Sequence, residues 1–247
     1  PLDGAAGWPP DALMQSIAAE NNLAETAFFL YRPGDTGPLP IRWFTPNLEI
    51  DLCGHATVAS AWVLFERLEP GRSTVTFSSQ SGPLSVARDG DRLALDFPAR
   101  PPEPCTPETH PELGLLAEAL GGRPVAFFKS RDFLVLYGSE AEVRALRPDF
   151  KRLAAVDTLG IIATAVGEAP VDFVSRFFAP AAAVDEDPVT GSAHCTLIPY
   201  WAGQLGKNVL TARQISARGG TLHCALHGDR VTMAGSAVLY LKGSIWI

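Results

Sequence analysis

Cysteine is scarce in this sequence, and the way it is placed excludes two classes of protein. The four cysteines are Cys53, Cys105, Cys195 and Cys224, and they form neither a CxxC pair nor the close spacing of a disulfide-rich secreted domain. We interpret them as reduced thiols, which are typical of cytoplasmic proteins. Cys53 alone lies within a repeated motif, so it is the cysteine with a candidate chemical role.

Membrane-length apolar runs, a signal-peptide pattern and the common cofactor and metal motifs are also missing. His223 and His227 are spaced as metal ligands on a helix would be, but they lie in a strand pattern, which separates them by about 13 Å. The 20 basic and 27 acidic residues give a net charge of −7, which disfavours nucleic acid or an anionic membrane as a partner. We therefore expect a soluble cytoplasmic protein with no cofactor and no bound metal.

The chain contains one ordered set of motifs twice. The first half contains RWFTP, CGHA and GDR, at residues 42–46, 53–56 and 90–92. The second half contains the matching sequences RFFAP, TGSA and GDR, at residues 176–180, 190–193 and 228–230. Self-similarity over half a chain indicates a duplicated domain. With 247 residues, 47% of them hydrophobic, the chain is long enough for two modest domains.

Hydrophobic periodicity predicts a buried helix in each half and gives the domain boundaries. The helices are expected over 57–68 and 193–205, each after a Gly-containing turn. We assign 1–104 and 105–235 to the two domains, with a Pro-rich linker over 98–111. The second half opens with a strand near Phe133 that has no counterpart in the first, so we expect the first domain to lack its N-terminal strand. The final residues, 236–247, are predicted to form strands that complete the first domain's sheet.

The two matched turns are candidate substrate-binding elements. Gly54 and Gly191 each begin a predicted helix, where unpaired backbone N–H groups and the positive end of the helix dipole attract anions. Glycine also allows a ligand to approach the backbone closely. Both turns could instead simply cap packed helices, but their duplication favours binding of a small carboxylate-bearing molecule, with Cys53 and Thr190 as their neighbours.

Four side chains are candidates for proton transfer. His55 lies at the first helix start, where the dipole would lower its pKa and favour a neutral imidazole. Asp187 and Ser192 flank the second turn, and Glu25 precedes an apolar strand. The structural alternatives are that Asp187 or Ser192 is an N-cap and that Glu25 lies at a solvated strand edge.

These residues lie in motifs that resemble the phenazine-biosynthesis PhzF-like family. The similar segments are NNLAETAF, RWFTP, LCGHAT, EDPVTGSA and QISARGG, at residues 21–28, 42–46, 52–57, 186–193 and 214–220. The resemblance implies an α+β fold of two pseudo-symmetric diaminopimelate epimerase-like domains, each a mostly antiparallel sheet wrapped around a central helix. It also implies an active site in the cleft between the domains and a homodimer.

The same resemblance implies a cofactor-independent isomerase of a small metabolite. Glu25 matches the family's general acid/base, and His55, Asp187 and Ser192 match polar residues around it. Gly54 and Gly191, with Cys53 and Thr190, match the turns that face the substrate.

Two other functions stay open at this point. The first is an epimerase or racemase that uses Cys53, because related epimerases carry cysteines at both matched turns. Here the second turn has Thr190, whose hydroxyl is a poor base. The second is a binding protein that keeps the cleft without turnover.

Overall fold

The computed structural model describes residues 1–182 and 184–246, and the chain forms two compact units. The first contains Pro1–Leu95 and the residues from Ala234 onward, and the second contains Asp96–Met233. The predicted boundary after residue 104 differs from this division. Residues 98–111 were predicted to be a linker but fall inside the second unit, where the N–H groups of Ala99 and Arg100 donate to backbone carbonyls of that unit.

The first unit is built from strands and two helices in chain order. These elements are β1 (Leu2–Asp3), α1 (Asp11–Asn21), β2 (Thr26–Tyr31), β3 (Leu39–Phe44), β4 (Glu49–Ile50), α2 (Gly54–Val63), β5 (Thr74–Ser79), β6 (Gly82–Asp89) and β7 (Arg92–Pro98). The sheet order is β1-β2-β3-β5-β6-β7, and β4 pairs with β3. A π-helical turn over Leu64–Leu68 extends α2, so the predicted buried helix over 57–68 is confirmed.

The second unit has nine strands and four helices among the described residues. They are β8 (Glu103–Pro104), α3 (Leu113–Leu120), β9 (Ala126–Lys129), β10 (Phe133–Leu136), α4 (Glu140–Ala145), α5 (Phe150–Leu153), β11 (Ile161–Val166), β12 (Phe173–Ala179), β13 (Val184–Asp187), α6 (Gly191–Leu205), β14 (Val209–Gln214), β15 (Gly220–His227) and β16 (Arg230–Gly235). The sheet order is β16-β15-β14-β12-β11-β10-β9-β8, and β13 pairs with β12.

The two units repeat one topology. In the first, β1 is parallel to β2, β2 antiparallel to β3, and β3 parallel to β5. In the second, β10, β11, β12 and β14 repeat these three relationships in the same order. The helix α2 contacts β2 and β6, and α6 contacts β14 and β15. The α+β fold class is therefore confirmed, and among the described residues no helix is long and apolar enough to cross a membrane.

A bidentate ion pair is also duplicated. The Arg42 guanidinium donates to both carboxylate oxygens of Glu49, at 2.7 and 2.6 Å. The Arg176 guanidinium donates to both oxygens of Glu186, at 2.7 and 2.8 Å. Each pair joins a long strand to the short strand before a central helix, so each fixes the approach to a matched turn.

The ends of the first unit differ from the sequence prediction. The strands predicted over 236–247 are wrong for residues 236–246, which form none; residue 247 lies outside the described residues. Their apolar side chains are largely exposed, for example Val238 at 85% and Tyr240 at 97%. The strand expected to be absent from the first half has a two-residue counterpart, because β1 pairs with β2 as β10 pairs with β11.

Candidate active site

Glu25 is positioned by the turn between α1 and β2. The helix ends at Asn22, whose φ of 47° is left-handed and reverses the chain. Met14 of α1 packs with Phe28 and Phe44, which fixes α1 against the sheet. Glu25 lies one residue before β2, and its side chain is only 10% exposed. The alternative of a solvated strand edge is therefore wrong.

The start of α2 brings Cys53 and His55 to the same place. Cys53 is the extended N-cap residue, with φ −142° and ψ 112°, and its side chain makes no capping hydrogen bond. Its carbonyl accepts a 2.5 Å hydrogen bond from the Thr57 hydroxyl, which stabilises the first turn. Gly54 is buried and is the first helical residue. The first backbone N–H groups of α2 have no partner within the helix, which is a general property of helix starts.

Glu25, Cys53 and His55 form one compact cluster. Nε2 of His55 lies 2.9 Å from Oε2 of Glu25. The Cys53 Sγ lies 3.8 Å from Nδ1 and 4.0 Å from Nε2 of the same ring. The three side chains offer ligand atoms that all lie within 4.8 Å of one another. A carboxylate, an imidazole and a thiol therefore share one mostly buried site.

The electrostatics of the cluster differ from the sequence prediction. Burial lowers the pKa of His55, but the adjacent Cys53 sulfur and Glu25 carboxylate raise it by more, so its pKa stands well above the usual value. The predicted lowering by the helix dipole is wrong because a direct ion pair outweighs a dipole end. Burial is also the main reason that the pKa of Cys53 is raised, against the opposing effect of His55. His55 is therefore a cation beside Glu25.

The matched turn of the second unit has a different set of contacts. Asp187 ends β13 and is buried, and its Oδ2 accepts a 2.5 Å hydrogen bond from the Thr190 hydroxyl. The side-chain oxygen of Gln214 accepts from the Thr190 N–H at 2.8 Å. The Gln214 amide donates to the Asp187 carbonyl at 2.7 Å. Gln214 therefore holds this turn from within the core.

Ser192 is the second residue of α6, next to Gly191, and it is buried. Its hydroxyl oxygen accepts a 3.3 Å hydrogen bond from the Arg131 guanidinium. The N-cap of α6 is Thr190, and its side chain makes no capping hydrogen bond. The alternative that Asp187 or Ser192 is the N-cap is therefore wrong, and both side chains have other partners.

His194 and Cys195 are buried inside α6. The ring of His194 donates from Nδ1 to the Thr190 carbonyl at 2.7 Å. Burial lowers the pKa of His194 to about 4, so the ring is neutral. Burial raises the pKa of Cys195 to about 12, so this thiol is also neutral.

The structure thus brings together three of the predicted residues, Glu25, Cys53 and His55, beside Gly54. The other four, Asp187, Thr190, Gly191 and Ser192, lie together in the second unit. Sequence reasoning missed the roles of Gln214 and Arg131. Gln214 belongs to the family-like segment at residues 214–220, which was a usable signal, but nothing in the sequence marks Arg131.

Comparison with known proteins identifies the family. A family model described as phenazine biosynthesis-like protein, PhzC-PhzF, matches residues 9–243. The chain belongs to this family. It is 50% identical over 246 residues to an uncharacterized isomerase of Pseudomonas aeruginosa, a match that covers 99% of this chain and 90% of the relative. The predicted isomerase class is therefore confirmed, with an unknown substrate.

Solved structures agree with the PhzF-like assignment. A crystal structure of a PhzF-family protein from Enterococcus faecalis superposes with a TM-score of 0.88 at 44% identity, covering 97% of this chain and 89% of that one. A predicted epimerase from Pseudomonas aeruginosa superposes with a TM-score of 0.67 at 20% identity, covering 98% and 92% of the two chains. The second likeness concerns the fold alone, and it supports the epimerase-like architecture.

Proposed function

We propose that this PhzF-like protein is a cofactor-independent isomerase that transfers a proton on a small carboxylate-bearing metabolite. Glu25 takes the proton from one carbon of the substrate and returns it to another, so no net proton is gained or lost. The supporting observation is the 2.9 Å separation between Oε2 of Glu25 and Nε2 of His55.

His55 assists as a positioning and charge-balancing group in this proposal. Its raised pKa keeps the ring protonated, so it forms an ion pair with the Glu25 carboxylate at 2.9 Å. A nearly buried carboxylate beside a fixed cation has a defined orientation, which general base catalysis needs. The start of α2 at Gly54 supplies backbone N–H groups for the substrate's carboxylate.

Asp187 and Ser192 are included in the catalytic set on their sequence match. Thr190 and Gly191 are included with Cys53 and Gly54 as substrate-binding residues on the same ground. The Thr190 hydroxyl supports this assignment, because it fixes the Asp187 carboxylate. Substitution of Asp187 by Asn and of Ser192 by Ala tests both roles.

The epimerase or racemase alternative is supported by one observation, the 3.8 Å distance from Cys53 Sγ to Nδ1 of His55. The raised pKa of Cys53 suits a proton donor and not a base. The second unit offers Thr190 in place of a second thiol, so the opposing base of a two-thiol racemase is missing. The isomerase is therefore the better supported function.

The experiment is a screen of small cyclic and amino carboxylates in D₂O, read by NMR. The isomerase predicts deuterium at a substrate carbon together with an isomeric product. The racemase predicts loss of exchange in Cys53→Ser and tolerance of Glu25→Gln. A non-catalytic binding protein predicts line broadening of a ligand without any deuterium incorporation.

The remaining features are part of the same proposal. We expect a cytoplasmic homodimer that acts on a small molecule and not on nucleic acid. The net charge of −7 supports the last point, since nucleic acid repels an acidic surface. Light scattering coupled to size-exclusion chromatography tests the oligomeric state.

A further inference from the structure

The cluster of Glu25, Cys53 and His55 has a second chemical capacity. It combines a carboxylate oxygen, a thiol sulfur and an imidazole nitrogen, and these atoms all lie within 4.8 Å of one another. Among residues 1–182 and 184–246 it is the one group of three or more such side chains with that spacing. The three residues do not form a local metal-binding motif in the sequence, because Glu25 lies far from Cys53 and His55.

The spacing fits a tetrahedral zinc ion. Bonds of about 2.3 Å to sulfur and about 2.0–2.1 Å to nitrogen or oxygen place neighbouring ligand atoms about 3.3–3.6 Å apart. The observed separations are 4.0 Å from Cys53 Sγ to His55 Nε2 and 2.9 Å from that nitrogen to Glu25 Oε2. Each differs from the ideal value by about half an ångström. The Cys53 sulfur also lies 3.8 Å from Nδ1, so it has to move to the Nε2 side of the ring before it can share an ion with Nε2, a change that rotation of the Cys53 or His55 side chain can supply.

The charge and burial of the cluster suit a divalent ion of intermediate softness. When the ion binds, the Cys53 thiol and the His55 imidazolium release their protons to solvent. The resulting thiolate and the Glu25 carboxylate together balance a 2+ charge, and a mixed sulfur, nitrogen and oxygen set favours zinc over magnesium or calcium. Cys53 is 5% exposed, whereas the His55 side chain is 30% exposed. Cys53 would therefore bind the ion from the buried side, and solvent would reach the ion from the side of His55. A water molecule would supply the fourth ligand.

We propose that Glu25, Cys53 and His55 form a zinc-binding site in which Nε2 of His55 is the nitrogen ligand. Metal binding does not depend on the proposed isomerase reaction. One consequence does rest on that function: a bound ion occupies the Glu25 carboxylate, so zinc inhibits isomerisation.

The other histidine pair provides a contrast. His223 and His227 both lie in β15, where His223 pairs with Thr211 of the neighbouring strand. Four strand residues span about 13 Å, so these rings cannot bind one ion. Cobalt bound at either of these histidines would have no sulfur ligand, so it would give no thiolate-to-cobalt charge-transfer band.

The test is a titration of the full-length, chelator-treated protein with Co²⁺ alone, followed by absorption spectroscopy. The proposal predicts a thiolate-to-cobalt charge-transfer band that Zn²⁺ removes by displacement. Cys53→Ser should abolish the band and weaken cobalt binding at least tenfold, whereas the matched control Cys105→Ser should keep both. His55→Gln should also weaken binding at least tenfold, which provides the test if Cys53→Ser does not fold.

Two results overturn the site: no cobalt binding by the folded wild-type protein, or binding that is unchanged in both Cys53→Ser and His55→Gln. Inhibition is tested separately, with zinc added to an active substrate assay. If zinc binds at Cys53 and turnover is unchanged, the inhibitory consequence is wrong. If no substrate is ever turned over but the cobalt band appears, the metal site stands and the proposed isomerase fails.

Discussion

Nε2 of His55 lies 2.9 Å from Oε2 of Glu25, although the two residues are 30 positions apart in the sequence. The Cys53 sulfur and the Glu25 carboxylate raise the pKa of His55, so His55 is a cation, and its ion pair gives the carboxylate a fixed direction. Both consequences are open to measurement.

His55→Gln should slow solvent deuterium incorporation into an active substrate by about a hundredfold, at the lower end of the range for proton-transfer groups. Gln keeps a polar side chain but supplies no positive charge beside Glu25. NMR in D₂O gives the rate. His223→Gln is the matched control, and an equal loss of rate in both variants would contradict the role of His55.

The neutral state of buried His194 predicts a specific acid sensitivity. Its pKa in the folded protein is about 4, below the usual value of 6.5. The unfolded chain therefore binds the extra proton first, so the free energy of unfolding falls as the pH falls from about 6.5 to 4. At pH 5 the loss from this residue is about 2 kcal/mol relative to pH 7.

Urea unfolding at pH 7 and pH 5 checks this prediction. His194→Gln should have a smaller difference between the two pH values than the wild type, whatever its stability at pH 7. His227→Gln, at an exposed position, should keep the wild-type difference. If His194→Gln kept the wild-type difference in unfolding free energy between pH 7 and pH 5, His194 would not be the source of the acid sensitivity.

Gln214→Leu should destabilise the second unit by about 1–3 kcal/mol, because the change leaves buried partners without hydrogen bonds. The Gln214 side chain is fully buried and bonds to Asp187 and Thr190. The free energy of unfolding in urea measures the effect. Gln204→Leu, at an exposed position of α6, should change it by less than about 0.5 kcal/mol.

Arg176→Lys should cost about 1.5–3 kcal/mol, because lysine cannot reproduce a bidentate hydrogen bond to Glu186. Arg176 also donates to the carbonyls of Val143 and Leu146, which would lose a partner. The exposed pair Arg152–Glu118 provides the control, since exposed ion pairs contribute little. Equal unfolding free energies for Arg176→Lys and Arg152→Lys would contradict this account.

The features that sequence predicted well are those set by local pattern. The apolar periodicity before Leu68 and before Leu205 is enough to identify two buried helices. The repeated RWFTP and RFFAP segments identify the two equivalent strands, because two similar segments of a duplicated domain are expected to form the same element in each copy.

The features that were missed depend on tertiary neighbours. Residues 236–246 have strand-like apolar composition but form no strand. A strand also needs a neighbouring strand to pair with, and the composition of a segment does not show whether such a neighbour is present. The pKa of His55 was predicted from its helix position, whereas the Cys53 sulfur and the Glu25 carboxylate, which the turn after α1 brings in, together reverse the direction. A local pattern cannot reveal an ion pair between distant residues.

The most direct test of the proposed isomerase is the rate of deuterium incorporation from D₂O into an active substrate, measured for Glu25→Gln and Glu20→Gln. Both variants remove one carboxylate, but Glu20 lies exposed at the end of α1. The account predicts at least a hundredfold loss for Glu25→Gln and a wild-type rate for Glu20→Gln. A wild-type rate in folded Glu25→Gln would contradict it.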